Sequence, residues 1–397
     1  MPAGLYIHIP FCRSKCLYCD FFSSTDLSRV NRFLSALLRE MIVRSRQEPF
    51  AGLVFSTIYF GGGTPSLLTA EQVAGIIEAA FKNFQWTSEV EISLEANPES
   101  VTVDRLQGWK AAGVNRLTIG VQSFIDEELR FLGRLHNAAQ AEAAVEAARH
   151  TGFNNLGLDL IFGIPGQTMT SWRFSLAKAL SYTPAHLSLY SLTYESGTPL
   201  WQKKQKGLFY PCSDKLERQL FLDAAARLTG AGYEHYEISN YALPGKRSRH
   251  NQLYWQQYPY LGLGPSAHSF DGFKREWNFR DLERYCEGIE HKGEAPADFE
   301  VISSALFAEE AILLGLRRRE GIDLQAWRAR FGYDLLPIAG KIAEPLGGLD
   351  ETPLFSPSRR GSLLSFSNGK LGLTRQGILF YDALCAEFFM QLDKIVP

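Results

Sequence analysis

The chain has 397 residues, of which 45% are hydrophobic, 13% aromatic and 21% charged. That much apolar area can fill a large core, which excludes disorder as the main state. Lysine plus arginine (41) nearly cancel aspartate plus glutamate (43), so there is no field to draw in polyanions, and a mainly electrostatic nucleic-acid binder is excluded.

The first half alternates between two periods. Gly4–Ile9 is a short β-rich run, and Leu27–Arg46 has helical spacing with Phe33, Leu37, Leu38 and Met41 on one face. Val54–Phe60 is a second apolar strand, stopped by Gly61-Gly62-Gly63, with a helix over Thr69–Phe84. Strand Val90–Ala96, helix Val103–Ala112 and strand Arg116–Val121 follow, then helices from Asp126 and Ala138. Strand Leu156–Phe162, helix Thr170–Leu180 and strand His186–Leu192 complete the alternation. Six strand–helix units without a hairpin signal predict a parallel sheet, open or closed into a barrel. The strands read as almost wholly apolar, as if both faces were covered. In either form ligands sit at the carboxyl ends of the strands.

From Thr193 to Phe299 the pattern is less regular, with a helix near Lys215–Ala231 and a polar-aromatic stretch over Tyr236–Phe270. After Glu300, helices at Ser303–Leu316 and Leu324–Phe331, a β-like Ser362–Phe366, an Asn368-Gly369 turn and a last helix after Thr374 suggest a small winged-helix-like module. Its acidic and basic residues nearly balance, which argues for packing or docking rather than DNA binding. We divide the chain into residues 1–235, a connecting region 236–299 and a C-terminal module 300–397. No apolar run approaches the roughly 18 residues of a membrane span, and Met1-Pro2-Ala3-Gly4 does not open a signal peptide, so the expected location is the cytoplasm.

Three of the six cysteines, Cys12, Cys16 and Cys19, fall within eight residues; Cys212, Cys286 and Cys385 are scattered and read as small buried hydrophobes. A thiol triplet on one loop suits three corners of a cubic iron–sulfur cluster and leaves the fourth iron open. A zinc site completed by His8 or a distant ligand is the alternative, although zinc more often uses paired C-x2-C knuckles. Gly61-Gly62-Gly63-Thr64-Pro65 ends the second strand, either as a tight turn or as a place of close backbone approach; it lacks the Gly-Lys-Ser/Thr of a phosphate loop. Glu95 ends the third strand and could accept hydrogen bonds from a ribose or bind an ammonium. Gln122 ends the fourth. Asp159 lies inside the fifth, where a charge is costly unless paired, which marks it as a site residue. Arg134 could pair with it or with a ligand carboxylate.

The stretch Tyr6-Ile7-His8-Ile9-Pro10-Phe11-Cys12 to Cys16-Leu17-Tyr18-Cys19-Asp20-Phe21 resembles the radical S-adenosylmethionine (SAM) superfamily, in the branch holding oxygen-independent coproporphyrinogen III oxidase and the heme chaperones of the HemW type. The resemblance covers essentially the whole chain. It implies an α/β fold, a partial six-stranded parallel βα barrel followed by the winged-helix-like domain. It also implies a [4Fe–4S] cluster on Cys12, Cys16 and Cys19, whose open iron is chelated by SAM, with Tyr6, Tyr18, Gly62, Gly63, Thr64, Glu95, Gln122, Arg134 and Asp159 at SAM-lining positions. The oxidase carries a further cysteine two residues after the third; here that position is Phe21, and the chain begins only five residues before Tyr6. Both departures favour the chaperone, which binds heme and delivers it to apo-proteins of the respiratory chain, with any membrane contact made through those acceptors.

A second constellation is His250-Asn251-Gln252-Leu253-Tyr254-Trp255. Imidazole is a common axial ligand of heme iron, and by the resemblance His250 would contact heme. The same residues also suit a loop held by a hydrogen-bonded histidine and buried aromatics. His268 is read as structural.

Overall fold

The computed structural model describes residues 2–344 and 361–392. Six parallel strands, β1 (Ala3–Ile9), β2 (Val54–Gly62), β3 (Gln85–Ala96), β4 (Arg116–Gln122), β5 (Leu156–Phe162) and β6 (His186–Ser191), lie side by side in chain order. Helices Val30–Arg44, Ala70–Asn83, Val103–Ala111, Ala138–His150 and Met169–Ser181 make the crossovers. Three of these start with a side chain and backbone satisfying each other reciprocally, at Thr69 with Gln72, Asn137 with Gln140 and Thr168 with Ser171.

The strands do not present two apolar faces. One face carries Leu5, Ile7, Ile9, Ile58, Phe60, Leu94, Leu117, Ile119, Leu158 and Leu160, all without solvent exposure and packed in one core with helix residues such as Phe33, Trp109 and Trp172. The other face is polar. The register aligns Tyr6, Tyr59, Ser93 and Arg116 in one row, and Glu95 pairs with Thr118, Asp159 with Ser188. Side chains alternate strictly along a strand, so a sequence scored for overall apolarity hides a hydrophilic interior built of Tyr, Thr, Ser and Gly.

Residues 236–299 are also more regular than their sequence suggests. β7 (Glu234–His235) and β8 (Asn240–Ala242) extend the sheet beyond β6, and β9 (Tyr260–Leu263) pairs in parallel with β1 on the other edge. β10 (His268–Phe270), β11 (Lys274–Asn278) and β12 (Ala297–Val301) continue it antiparallel, to twelve strands in all. β1 and β6 therefore pair with other strands and not with each other, and the barrel stays open. The HNxxYW string is a helix, Arg249–Trp255, and not a loop.

A second core holds Ile312, Leu316, Trp327, Ile338, Leu371 and Phe388. It joins helices Ser304–Arg317, Leu324–Phe331, Leu336–Ala343 and Tyr381–Leu392 to a three-stranded antiparallel sheet of β13 (Ile322–Asp323), β14 (Leu364–Ser367) and β15 (Lys370–Leu373). The turn between the last two uses Asn368 and Gly369 at φ 53° and 73°, the left-handed pair a two-residue hairpin requires. Arg317, at the end of the first of these helices, reaches the buried Glu237 of the larger unit at 2.6 Å. No helix among the described residues is long and apolar enough to cross a membrane.

Candidate cofactor site

The loop after β1 is held by backbone bonds at both ends. Cys12 N–H donates to the Ser24 carbonyl (3.0 Å) and Ser24 N–H to that of Pro10 (2.7 Å). In its middle, Leu17 N–H donates to the Leu132 carbonyl and Leu200 N–H to that of Leu17. Cys12, Cys16 and Cys19 are half-buried free thiols. Thr64 Oγ1 lies 3.4 Å from Cys12 Sγ, and Arg134 Nη1 lies 3.4 Å from Cys16 Sγ. Burial pushes the Cys19 thiol up to about 11, and the proximity of Cys16 and Cys12 adds to the rise. Three half-buried thiols on one loop, one of them resisting ionisation, call for a cationic centre among their sulfurs.

That centre fits an iron–sulfur cube better than a single ion. Among the described residues no three His, Cys, Asp or Glu side chains are grouped to hold one metal ion, and a cube spreads its thiolates wider than one ion does. His8, the candidate fourth zinc ligand, has both ring nitrogens engaged, Nε2 at 2.9 Å from the Phe22 carbonyl and Nδ1 at 3.2 Å from the Tyr6 hydroxyl.

The three cysteines share one cavity of about 1480 Å³ with Tyr18, Gly62, Gly63, Thr64, Glu95, Gln122, Arg134 and Asp159. Gly62, at φ 104°, and Gly63 close β2 against the cysteine loop: a Cβ on Gly62 would stand 2.6 Å from the His8 ring, and one on Gly63 2.6 Å from the Phe11 carbonyl. The glycines thus serve the packing of the loop itself, while their backbone faces the cavity. Arg134 is delivered beside the loop by Gly133, whose left-handed conformation (φ 75°) ends helix Asp126–Leu132. Its Nη2 donates to Asn97 Oδ1 (2.7 Å) and to the Gly120 carbonyl (3.1 Å), so it is anchored without a carboxylate partner in direct contact. It does not pair directly with Asp159.

Glu95 accepts from the Tyr59 hydroxyl at 2.6 Å. Burial pushes its carboxyl up to about 7, with the charge of Asp159 adding to the rise and the Tyr59 hydroxyl and Gly62 N–H opposing it. Burial likewise pushes Asp159 up to about 6 against the pull of Ser188, Arg116 and Arg134. Asp159 Oδ1, Gln122 Oε1 and Arg134 Nε are buried without a hydrogen-bond partner. Such groups cost free energy unless something satisfies them. Gln122 also sits at φ 65°, a left-handed backbone that a side chain this size rarely adopts. Two carboxylates, an amide oxygen and a guanidinium around one void suit a ligand with hydroxyl donors, a positive centre and a carboxylate of its own.

The structure brings together all the residues expected for SAM except Tyr6, which is absent from the cavity lining. Its hydroxyl meets His8 and its ring stacks on Tyr59 at 6.2 Å. His250 is also absent from the lining. It is buried against the polar inner face of β1 and β2, with Nδ1 at 2.7 Å from Thr57 Oγ1 and Nε2 at 2.8 Å from the Tyr254 hydroxyl. Burial lowers its pKa to about 3, so the ring is neutral, with no nitrogen free in this arrangement for a metal. His268 is exposed and stacks on Trp277 at 5.9 Å. Sequence reasoning missed Asn97, Tyr190 and the wall that Arg317 and residues 378–383 of the C-terminal module contribute, and Tyr59, which holds Glu95 from outside the lining. Period-two reading of β2 would have found Tyr59, on the same face as Thr57; the remote wall has no local signal.

Comparison with known proteins bears on this site. Residues 6–177 match the radical SAM superfamily and residues 302–380 the HemN C-terminal domain. The chain is 34% identical over 389 residues to the heme chaperone HemW of Bacillus subtilis, covering 98% of this chain and 99% of that one. It is 34% identical to the mitochondrial radical S-adenosyl methionine domain-containing protein 1 of Mus musculus, covering 82% and 75%. Among solved structures, the Escherichia coli coproporphyrinogen III oxidase HemN, a radical SAM enzyme, aligns with a TM-score of 0.81 at 25% identity, covering 98% of this chain and 90% of that one.

Proposed function

The chain belongs to the heme chaperone HemW family of the radical SAM superfamily, and from that premise we propose that it binds heme and passes it to heme-free acceptor proteins. The observation that carries this reading is the near end-to-end match to the HemW of Bacillus subtilis. Membership of the superfamily brings a [4Fe–4S] cluster and SAM. In our reading Cys12, Cys16 and Cys19 hold the cluster. Arg134 takes the SAM carboxylate, Glu95 and Asp159 take hydroxyl donors, Gln122 offers its amide oxygen, and Gly62, Gly63 and Thr64 face the amino end; Tyr18 closes the loop side. When bound, the cluster supplies an open iron and an electron to SAM. The chain's own part is to exclude water from the void, to fix the ligand's two charged ends, and to hold a proton on Glu95 or Asp159 until a cationic ligand displaces it.

We place the protein in the cytoplasm and its acceptors in the respiratory chain, and keep the division at about residue 300, which the two separate cores support. The second reading is oxidative decarboxylation of coproporphyrinogen III. The likeness to HemN favours it; Phe21, where the oxidase has a further cysteine, opposes it.

The test is a heme titration of anaerobically reconstituted protein with and without SAM, then mixing with a heme-free acceptor. Saturable binding followed by transfer supports the chaperone. Formation of protoporphyrinogen from coproporphyrinogen III, SAM and a reductant would replace it with the oxidase.

A further inference from the structure

The HNxxYW helix packs on the polar inner face of the sheet, away from the strand ends that carry the cofactor residues, and it is tied to β3, which carries Glu95, and to β2, which carries Tyr59. Glu91 Oε1, four residues before Glu95 on β3, accepts the backbone N–H groups of Arg249 (2.9 Å) and His250 (3.1 Å). The His250 ring stacks on Tyr59 of β2 with centroids 5.0 Å apart and planes 26° from parallel. Its two nitrogens are fixed by Thr57 of β2 and by Tyr254. The fit is close on the remaining side, since a Cβ on Gly4 would stand 3.1 Å from the ring. Tyr59 packs against both His250 and Tyr6, whose own rings meet at 6.3 Å, and points its hydroxyl at Glu95 Oε1 at 2.6 Å.

We propose that His250 is a positioning residue for the SAM site: it clamps the Tyr59 ring, Tyr59 pins one oxygen of Glu95, and the other oxygen is thereby aimed at the hydroxyl donors of the ligand. A ring whose two nitrogens and one face are all engaged is suited to holding a neighbour still. The ring cluster restricts how Tyr59 can tilt, and the short O–H···O bond passes that restraint to the carboxylate. This inference rests on the reading of Glu95 as a SAM-site residue.

The experiment measures SAM affinity by equilibrium dialysis on reconstituted holoprotein, with iron and sulfide content recorded for every variant. Glu95→Ala tests the premise, and wild-type affinity there would remove both premise and inference. Given a loss in Glu95→Ala, we expect Tyr59→Phe and His250→Ala each to weaken SAM binding about three- to tenfold at unchanged cluster content. The double variant should be no weaker than the poorer single one, because both act through one carboxylate. His250→Phe, which restores a stacking ring, should recover part of the loss and, with Tyr59→Phe, serves if the alanine variant fails to fold. Wild-type affinity in Tyr59→Phe and the His250 variants, or losses that multiply in the double variant, would overturn the proposal. So would loss of heme binding in His250→Ala with SAM affinity intact.

Discussion

The two ends of the barrel interior use similar residue types to opposite effect. At the mouth, Asp159, Gln122 and Arg134 each keep a buried polar atom without a partner. At the other end of the interior, His250 uses both nitrogens and Glu91 takes two backbone N–H groups. Burial, aromatic company and a histidine do not by themselves mark a binding site. Unspent hydrogen-bonding capacity facing a void does, because the fold has carried its cost without recovering it internally.

The sharpest way to break this contrast is to strip the mouth of its thiols. Cys16→Ser should lose most of the iron and sulfide taken up on reconstitution, while far-UV circular dichroism stays that of the wild type, because the apolar core lies on the other face of the strands. Global unfolding would show that the loop supports the barrel. Next in size is Arg134→Met, which removes the guanidinium and strands Asn97 Oδ1 and the Gly120 carbonyl. SAM affinity should fall by a factor of about 30 or more, and thermal stability by ~2 kcal/mol; isothermal titration and melting curves check both.

A third effect is in pH. Burial holds the Glu95 and Asp159 carboxyls up at about 7 and about 6 in the folded protein, above the ordinary values of 4.5 and 3.8. Between those limits the folded protein holds protons that the unfolded chain has released, so stability falls as pH rises. The ligand-free melting temperature should decline from pH 5 to pH 8, and Glu95→Gln with Asp159→Asn should flatten that slope. SAM affinity should move the other way and strengthen with pH as the carboxylates ionise. The smallest effect tests the remote module. Gly369→Ala places a side chain at φ 73° and should cost ~1 kcal/mol in a thermal melt without changing cluster content.

Much of the fold was legible because its signals are local. Leu156–Phe162 and Leu324–Phe331 fall where apolar runs and helical spacing put them. The cysteine loop was legible for the same reason, since three thiols within eight residues need no tertiary knowledge. The polar face of the strands was not, because Tyr, Thr and Gly pass for strand formers whichever way they point. β9 to β12 were missed because short strands with mixed polarity resemble loops until a neighbour pairs with them. For His250 the alternative reading, a hydrogen-bonded histidine among buried aromatics, matches the surroundings, on a helix and not a loop, but the particular partners could not be named. Thr57, Tyr59 and Glu91 lie about 160 to 190 residues away in sequence, and only folding brings them to the ring.

An open barrel has a consequence for the size of what it can hold. In a closed barrel the bore is dictated by strand number and stagger, so admitting a larger guest means rebuilding the sheet. Here β1 and β6 never meet, and residues 378–383 furnish part of the enclosure from a separately built unit. Lengthening or shortening that one segment resizes the chamber while every strand keeps its partner. Relatives of the same architecture can thus diverge in cargo through a few residues near the carboxyl end, with the sulfur-bearing loop left as it is.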